Sequence, residues 1–193
     1  MRLGLRGPGV RPPGQLEASD IGGRVLLGRG VLLNIKIVAI GKLREKYLRD
    51  GVAEYAKRLG AYCRLEIVEL QDEAIDSGDI AQMASARARE GGRILKAVKP
   101  ESWAIALDVK GDMLSSEGLA AYFEELCLHG RSDVTMLLGG ASGFAPEVLK
   151  RSDFRLSFSP MTFPHQLSRL LLLEQLYRSF KIRRNEPYHL GGD

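Results

Sequence analysis

From Asn34 onward the apolar positions fall into two alternating periods. Asn34 to Ile40 (NIKIVAI) is dense in β-branched residues and stops at Gly41, which predicts a strand. From Leu43 to Tyr62 the apolar residues Leu43, Tyr47, Leu48, Val52, Tyr55, Ala56 and Leu59 recur at spacings of three and four, the stripe of an amphipathic helix. Arg64 to Leu70 (RLEIVEL) alternates, so it reads as a strand with one wet face, and Asp72 to Ser77 reads as loop. Asp79 to Val98 is helical but poor in large apolar residues and interrupted by Gly91-Gly92. Trp103 to Val109 (WAIALDV) and Val134 to Leu138 (VTMLL) are short and almost wholly apolar, as strands covered on both faces are. A helix capped by Ser115 or Ser116 runs to Leu128. A short helix over Pro146–Arg151, a strand over Phe154–Ser159 and a long helix over Gln166–Lys181 complete the chain. Strands alternating with helices predict an α/β protein with a mostly parallel sheet and helices on both faces.

Composition changes the picture only at the start. Residues 1–33 hold eight glycines and three prolines, a third of that stretch, and too little apolar surface to offset the entropy of ordering them. Residues 1–32 are therefore expected to be a disordered extension or the product of a misplaced start codon, with the folded domain occupying 33–193. The charge follows the same division. Five arginines against Glu17 and Asp20 give this stretch +3 of the overall +4, so the body carries about +1 and has no bulk basicity with which to hold a nucleic acid. No segment approaches the roughly 18 apolar residues of a membrane span. Cys63 and Cys127 have no metal-type spacing and read as buried thiols in a reducing, cytoplasmic setting. No metal site is expected, because His129, His165 and His189 lie far apart with no carboxylate at ligating distance in sequence.

Standard chemistry motifs are missing. There is no P-loop, and Gly139-Gly140-Ala141-Ser142-Gly143 matches neither a dinucleotide fingerprint nor a nucleophile elbow. What remains is a set of glycines and prolines at the carboxyl ends of three buried strands: Lys110-Gly111, Gly139-Gly140 and the run Ser159 to Pro164. Ligands of open α/β sheets bind beyond such ends, and glycine lets a ligand approach the backbone closely. Each could equally be a plain turn. On the last helix, Glu174 and Arg178 have the spacing of a helix ion pair, and His165 stands at the helix start.

The stretch from Gly139 to His189, with SPMTFPHQ and EQLYR inside it, resembles the ribosomal RNA large-subunit methyltransferase H family, in the SPOUT class of knotted methyltransferases. IKIVAIGKLREKYLRDGVAEYAKRL and IALDVKGDMLSSEGLA resemble the same family, so the likeness spans about Leu33 to Leu190. The resemblance implies a C-terminal deep trefoil knot, S-adenosyl-L-methionine as cofactor, and methyl transfer to N3 of pseudouridine 1915 in the 23S rRNA of the ribosome. It also implies a homodimer in the cytoplasm. By motif, the cofactor contacts would be Leu107, Gly139, Phe158, Ser159, Pro160, Met161, Thr162 and Phe163, and nothing is carried over to Ala141 and Ser142. Catalysis is expected of His165, Arg169, Tyr188 and His189, and RNA contact of Arg178, Lys181, Arg183 and Arg184. The alternative is a non-catalytic RNA- or ribosome-binding module that keeps the pocket without turnover.

Overall fold

The computed structural model describes residues 32–74 and 79–187. In chain order these form β1 (Asn34–Ile40), α1 (Lys46–Leu59), β2 (Arg64–Leu70), α2 (Ile80–Ala97), β3 (Trp103–Met113), α3 (Ser116–Leu128), β4 (Asp133–Leu138), α4 (Pro146–Arg151), β5 (Phe154–Ser157) and α5 (His165–Arg183). The five strands make one sheet in the order β2-β1-β4-β3-β5, and every pairing is parallel. The expected α/β architecture is the observed one. The extension 1–32 lies outside the described residues but for Leu32.

Alternate residues of the central strands feed two cores. Ile35 and Ile37 of β1, Ile105 of β3 and Met136 of β4 face α1, α3 and α5, where Leu172, Leu173 and Leu176 are fully buried. Val38, Ile40, Ala104, Ala106 and Leu137 face α2 and α4 through Ile94 and Val148. Each of the larger side chains contributes about 2 kcal/mol by leaving water, the alanines less. The helices thus cover both faces. β2, at one edge, keeps a wet face with Arg64 and Glu66 exposed, while Glu69 lies on the opposite face and pairs with Arg169 of α5. Cys63 and Cys127 are free and buried. Among the described residues no helix is long and apolar enough to cross a membrane.

The differences from the sequence pattern have local causes. α1 begins at Lys46, because Leu43 N–H donates to Glu69 (3.2 Å) and Arg44 N–H to Gln166 (2.9 Å), which commits that stretch to a loop. β3 continues to Met113 through a bulge in which Leu107 and Asp112 both pair with Leu156. Gly111 permits this, since a Cβ there would lie 2.5 Å from the Arg155 carbonyl oxygen. β5 stops two residues early, where Ser157 Oγ donates to Ser159 O (3.0 Å) and Met161 N–H to Ser159 Oγ (2.9 Å), folding the chain into a turn. α5 runs longer at both ends and is closed by Asn185, whose φ of 52° is a left-handed stop that asparagine tolerates.

The two glycines that seem to weaken α2 play opposite parts. Gly91 faces α4, where an added Cβ would lie 2.6 Å from Ala145 Cβ, whereas Gly92 has nothing within 4 Å. Gly92→Ala is expected to raise stability by about 1 kcal/mol through helix propensity. Gly91→Ala is expected to lower it by about 1–3 kcal/mol, because overpacking outweighs the same propensity gain. Urea unfolding of the two variants checks the opposite signs.

Candidate active site

Beyond the carboxyl ends of β3, β4 and β5 lies a cavity of about 410 Å³. Three backbone segments wall it: Leu107–Val109 after β3, Leu138–Ala141 with Gly143 and Phe144 after β4, and Leu156–Ser159 with Met161–Pro164 after β5. His165 and Ser168, one turn apart at the start of α5, close it. Size and lining are those of a small-molecule site: largely apolar walls with few polar groups. The loop after β5 leaves Met161 71% and Phe163 37% exposed, apolar surface that a bound molecule would cover. At the rim, Asp108 is not a free carboxylate, since Arg155 donates to it through Nε (2.9 Å) and also through Nη2.

The α5 end of the cavity is built on a buried arginine. Arg169 is 1% exposed; its Nη2 donates to the Gly41 carbonyl (2.8 Å) and its Nη1 to Glu69, while Nε has no partner. Glu69 Oε1 also accepts Leu43 N–H. The last helix is thereby tied to the carboxyl ends of β1 and β2. Gly41 sits at φ +82°, a conformation that favours glycine, and His165 Nε2 packs beside it, at ordinary contact distance (3.4 Å) from where a Cβ would stand. Burial pushes the His165 imidazole below its usual pKa, the Arg169 cation adds to this, and Asp72 opposes it. His165 is therefore a neutral base at pH 7, able to accept a proton.

The comparisons with known proteins cover nearly the whole body of the chain. The family model described as "Predicted SPOUT methyltransferase" matches residues 33–189. A protein of Clostridium kluyveri named ribosomal RNA large subunit methyltransferase H is 48% identical over 158 residues, 81% of this chain and 99% of its own. A protein of the same name from Carboxydothermus hydrogenoformans is 51% identical over equal shares. The chain belongs to the SPOUT methyltransferase family. A solved methyltransferase from Legionella pneumophila, in complex with SAM, aligns at 16% identity with a TM-score of 0.42, over 77% of this chain and 67% of that one. That likeness is too low to add to the assignment.

In this SPOUT methyltransferase the residues expected at the cofactor come together. Leu107, Gly139, Phe158, Ser159, Met161, Thr162 and Phe163 all line the cavity, and Pro160, exposed in the same loop, does not. Of the expected catalytic residues, His165 is in the wall, while Arg169 is buried behind it with both Nη atoms committed to protein partners. Tyr188 and His189 lie outside the described residues. The basic residues of α5 stand toward its other end, each beside a carboxylate. Arg178 pairs with Glu174 (2.7 Å), Lys181 with Glu186 (2.6 Å) and Arg183 with Glu124 (2.7 Å). Arg184 lies over the Tyr62 ring, 4.4 Å from its centroid, and 3.9 Å from Glu186. Among the described residues no group of three His, Cys, Asp or Glu is arranged to hold a metal.

Sequence reasoning passed over Ser168, Phe144 and Asp108 as wall residues. The first had a signal, since a residue three after His165 shares its helix face. Phe144 and Asp108 enter the cavity only through the folding of their loops.

The depressed pKa of His165 gives a stability prediction with a definite sign. Between the lowered folded value and the ordinary value near 6.5, the unfolded chain binds a proton that the folded chain refuses. Stability is thus full above about pH 6.5 and falls as pH drops toward the folded value. His165→Gln should flatten that part of the stability–pH curve, measured by denaturant unfolding. An unchanged slope would assign the proton uptake elsewhere.

Proposed function

We propose that this protein transfers a methyl group from S-adenosylmethionine to N3 of pseudouridine 1915 in 23S ribosomal RNA. One observation carries the reading. In a chain about half identical to curated relatives named ribosomal RNA large subunit methyltransferase H, the residues of the family-like motifs converge, from three separate strand ends, on one apolar cavity. The cavity fits the cofactor's chemistry. Leu107, Leu138, Phe158 and Phe163 offer apolar surface for a flat heterocycle, and the side-chain-free backbone of Gly139 and Gly140 can meet its polar edge. When bound, S-adenosylmethionine would supply a methyl carbon on a sulfonium, so that an N–C bond can form in line as the C–S bond breaks and S-adenosylhomocysteine leaves.

The chain's own part is to hold, orient and take a proton. The three loops fix the donor, and alignment of donor and acceptor provides much of the acceleration. N3 of neutral pseudouridine carries a proton, and His165, kept neutral by burial, is suited to accept it at a ring nitrogen. Arg169 acts as a positioning residue in this scheme, since its guanidinium holds the start of α5 against Gly41 and Glu69.

The expected catalytic group reads as one shared between two copies of the chain. At about 1.5 Å rise per residue, His165 and Arg183 stand about 27 Å apart along α5. Glu186 is bound at the far end by Tyr62 (2.5 Å) and Lys181 (2.6 Å). A two-fold homodimer with antiparallel α5 helices would bring His189, Tyr188 and the cluster Arg178, Lys181, Arg183 and Arg184 to the partner's cavity. There the cations would exchange their carboxylate partners for phosphates, contact by local patch in a chain with little net charge. A knot through the C-terminal segment belongs to the same reading. It is supported by the path of residues 158–164, which leave the edge strand β5 and return to Gly41 at the end of β1. A ribosomal substrate in turn implies the cytoplasm.

The activity is tested with labelled S-adenosylmethionine and ribosomes lacking the modification, mapping the labelled nucleotide. Label at N3 of one large-subunit pseudouridine is expected; cofactor binding without label would point to the non-catalytic binding module. Shared sites are tested by mixing. His165→Ala and His189→Ala proteins should each be nearly inactive, yet after subunit exchange the mixture should recover about a quarter of normal activity. Half the dimers are then mixed, and each mixed dimer carries one intact site of two. No recovery would place both histidines in one chain's site.

A further inference from the structure

The cavity wall after β4 is held from outside by a residue that neither the chemistry above nor the family motif uses. Glu90, in the middle of α2, is only 3% exposed, although carboxylates are rarely buried unless bonded. Its two oxygens reach different loops. Oε1 accepts the backbone N–H of Glu73, after β2 (3.0 Å), and Oε2 accepts the hydroxyl of Ser142, after β4 (3.1 Å). One turn earlier on the same helix, Arg87 Nε donates to the Ser142 carbonyl (2.8 Å), so α2 grips Ser142 by side chain and backbone together. The residues on either side of Ser142 line the cavity, whereas Ser142 is 6% exposed and does not.

The fit around Glu90 is close. A Cβ on Gly140 would lie 3.0 Å from Glu90 Oε2 and 2.9 Å from Ile40 Cγ2, and Gly91 lets α2 approach Ala145. Two neighbouring arginines of α2 hold the other loop: Arg89 and Arg93 both pair with Glu73, and Arg93 also donates to the Gln71 carbonyl (2.8 Å).

We infer that Glu90 is a positioning residue for the donor site, holding the Gly139–Phe144 wall at the spacing the ligand requires by bridging Ser142 to Glu73. The inference rests on the proposed cofactor reading for its ligand, while the bridge itself can be observed without any ligand. Without the bridge, only Arg87 would hold Ser142 to α2, and the glycines of this wall would gain freedom to relax into the cavity. The bridge needs hydrogen bonds at both ends, and charge is not essential to it. A glutamine at 90 can accept Glu73 N–H with its oxygen and donate to Ser142 Oγ with its amide.

The test uses the full chain, with S-adenosylmethionine and its demethylated product S-adenosylhomocysteine as calorimetric probes, and amide hydrogen exchange of residues 139–144 in the ligand-free protein. Glu90→Ala should weaken both ligands by about tenfold or more and speed exchange in this segment by a similar factor. Glu90→Gln should stay within about threefold of the parent in both readouts. Ser142→Ala, which removes one arm and leaves the core alone, should fall between them, and it serves if Glu90→Ala fails to fold. Unchanged exchange in Ser142→Ala, or a Glu90→Gln protein as weak as Glu90→Ala, would overturn the bridge. If the parent protein binds neither nucleoside, the cofactor reading falls and takes the donor-site role with it, whereas the exchange data would still decide the bridge.

Discussion

A buried guanidinium determines where the last helix can lie. Arg169 has almost no solvent, so its charge must be met by the protein, and it is met by Glu69 and the Gly41 carbonyl at the ends of two adjacent strands. Such a pair adds little net stability over an apolar contact. Losing one partner, however, strands a buried charge at a cost of about 3–5 kcal/mol. The interaction therefore acts chiefly as a specifier of position. It docks the start of α5 on β1 and so carries His165 to the cavity, beside the left-handed turn at Gly41.

Around the cavity one device recurs, in which polar side chains fix the loops that form its apolar wall. Ser142 is gripped by α2, Ser159 folds the turn after β5, and Arg155 neutralises Asp108 on the rim. The result is a dry, mostly apolar recess bordered by backbone, suited to a flat ligand whose edges need hydrogen bonds. In the proposed reading, a cationic donor and an anionic substrate would meet at a site with little charge of its own.

Electrostatics divides along α5. Its first turn holds a base kept neutral by burial, and its far end holds arginines and a lysine matched by Glu124, Glu174 and Glu186. This pairing accounts for a chain whose body carries almost no net charge yet whose relatives are named for an RNA substrate. Contact with phosphate would be a local exchange of partners, with little long-range attraction.

Much of the fold was legible because it depends on local periodicity. β1, β2 and α4 lie where the apolar pattern put them, and the glycines and prolines at three strand ends marked the cavity. The site residues of the β5 loop came from the family resemblance, while the pattern of prolines there marked only a turn. What the pattern could not carry was set by neighbours distant in sequence. β3 extends to Met113 only because Gly111 admits the β5 backbone. Arg169 reads as a polar break in a leucine face until Glu69, a hundred residues earlier, is placed against it. Glu90 reads as one more charge on a solvated helix, and it becomes a buried bridge because Gly91 and Gly140 lack the atoms that would hold α2 and the loop apart. Elements follow from the spacing of side chains along the chain, whereas burial of a charge follows from which backbones can touch, and only the assembled structure decides that.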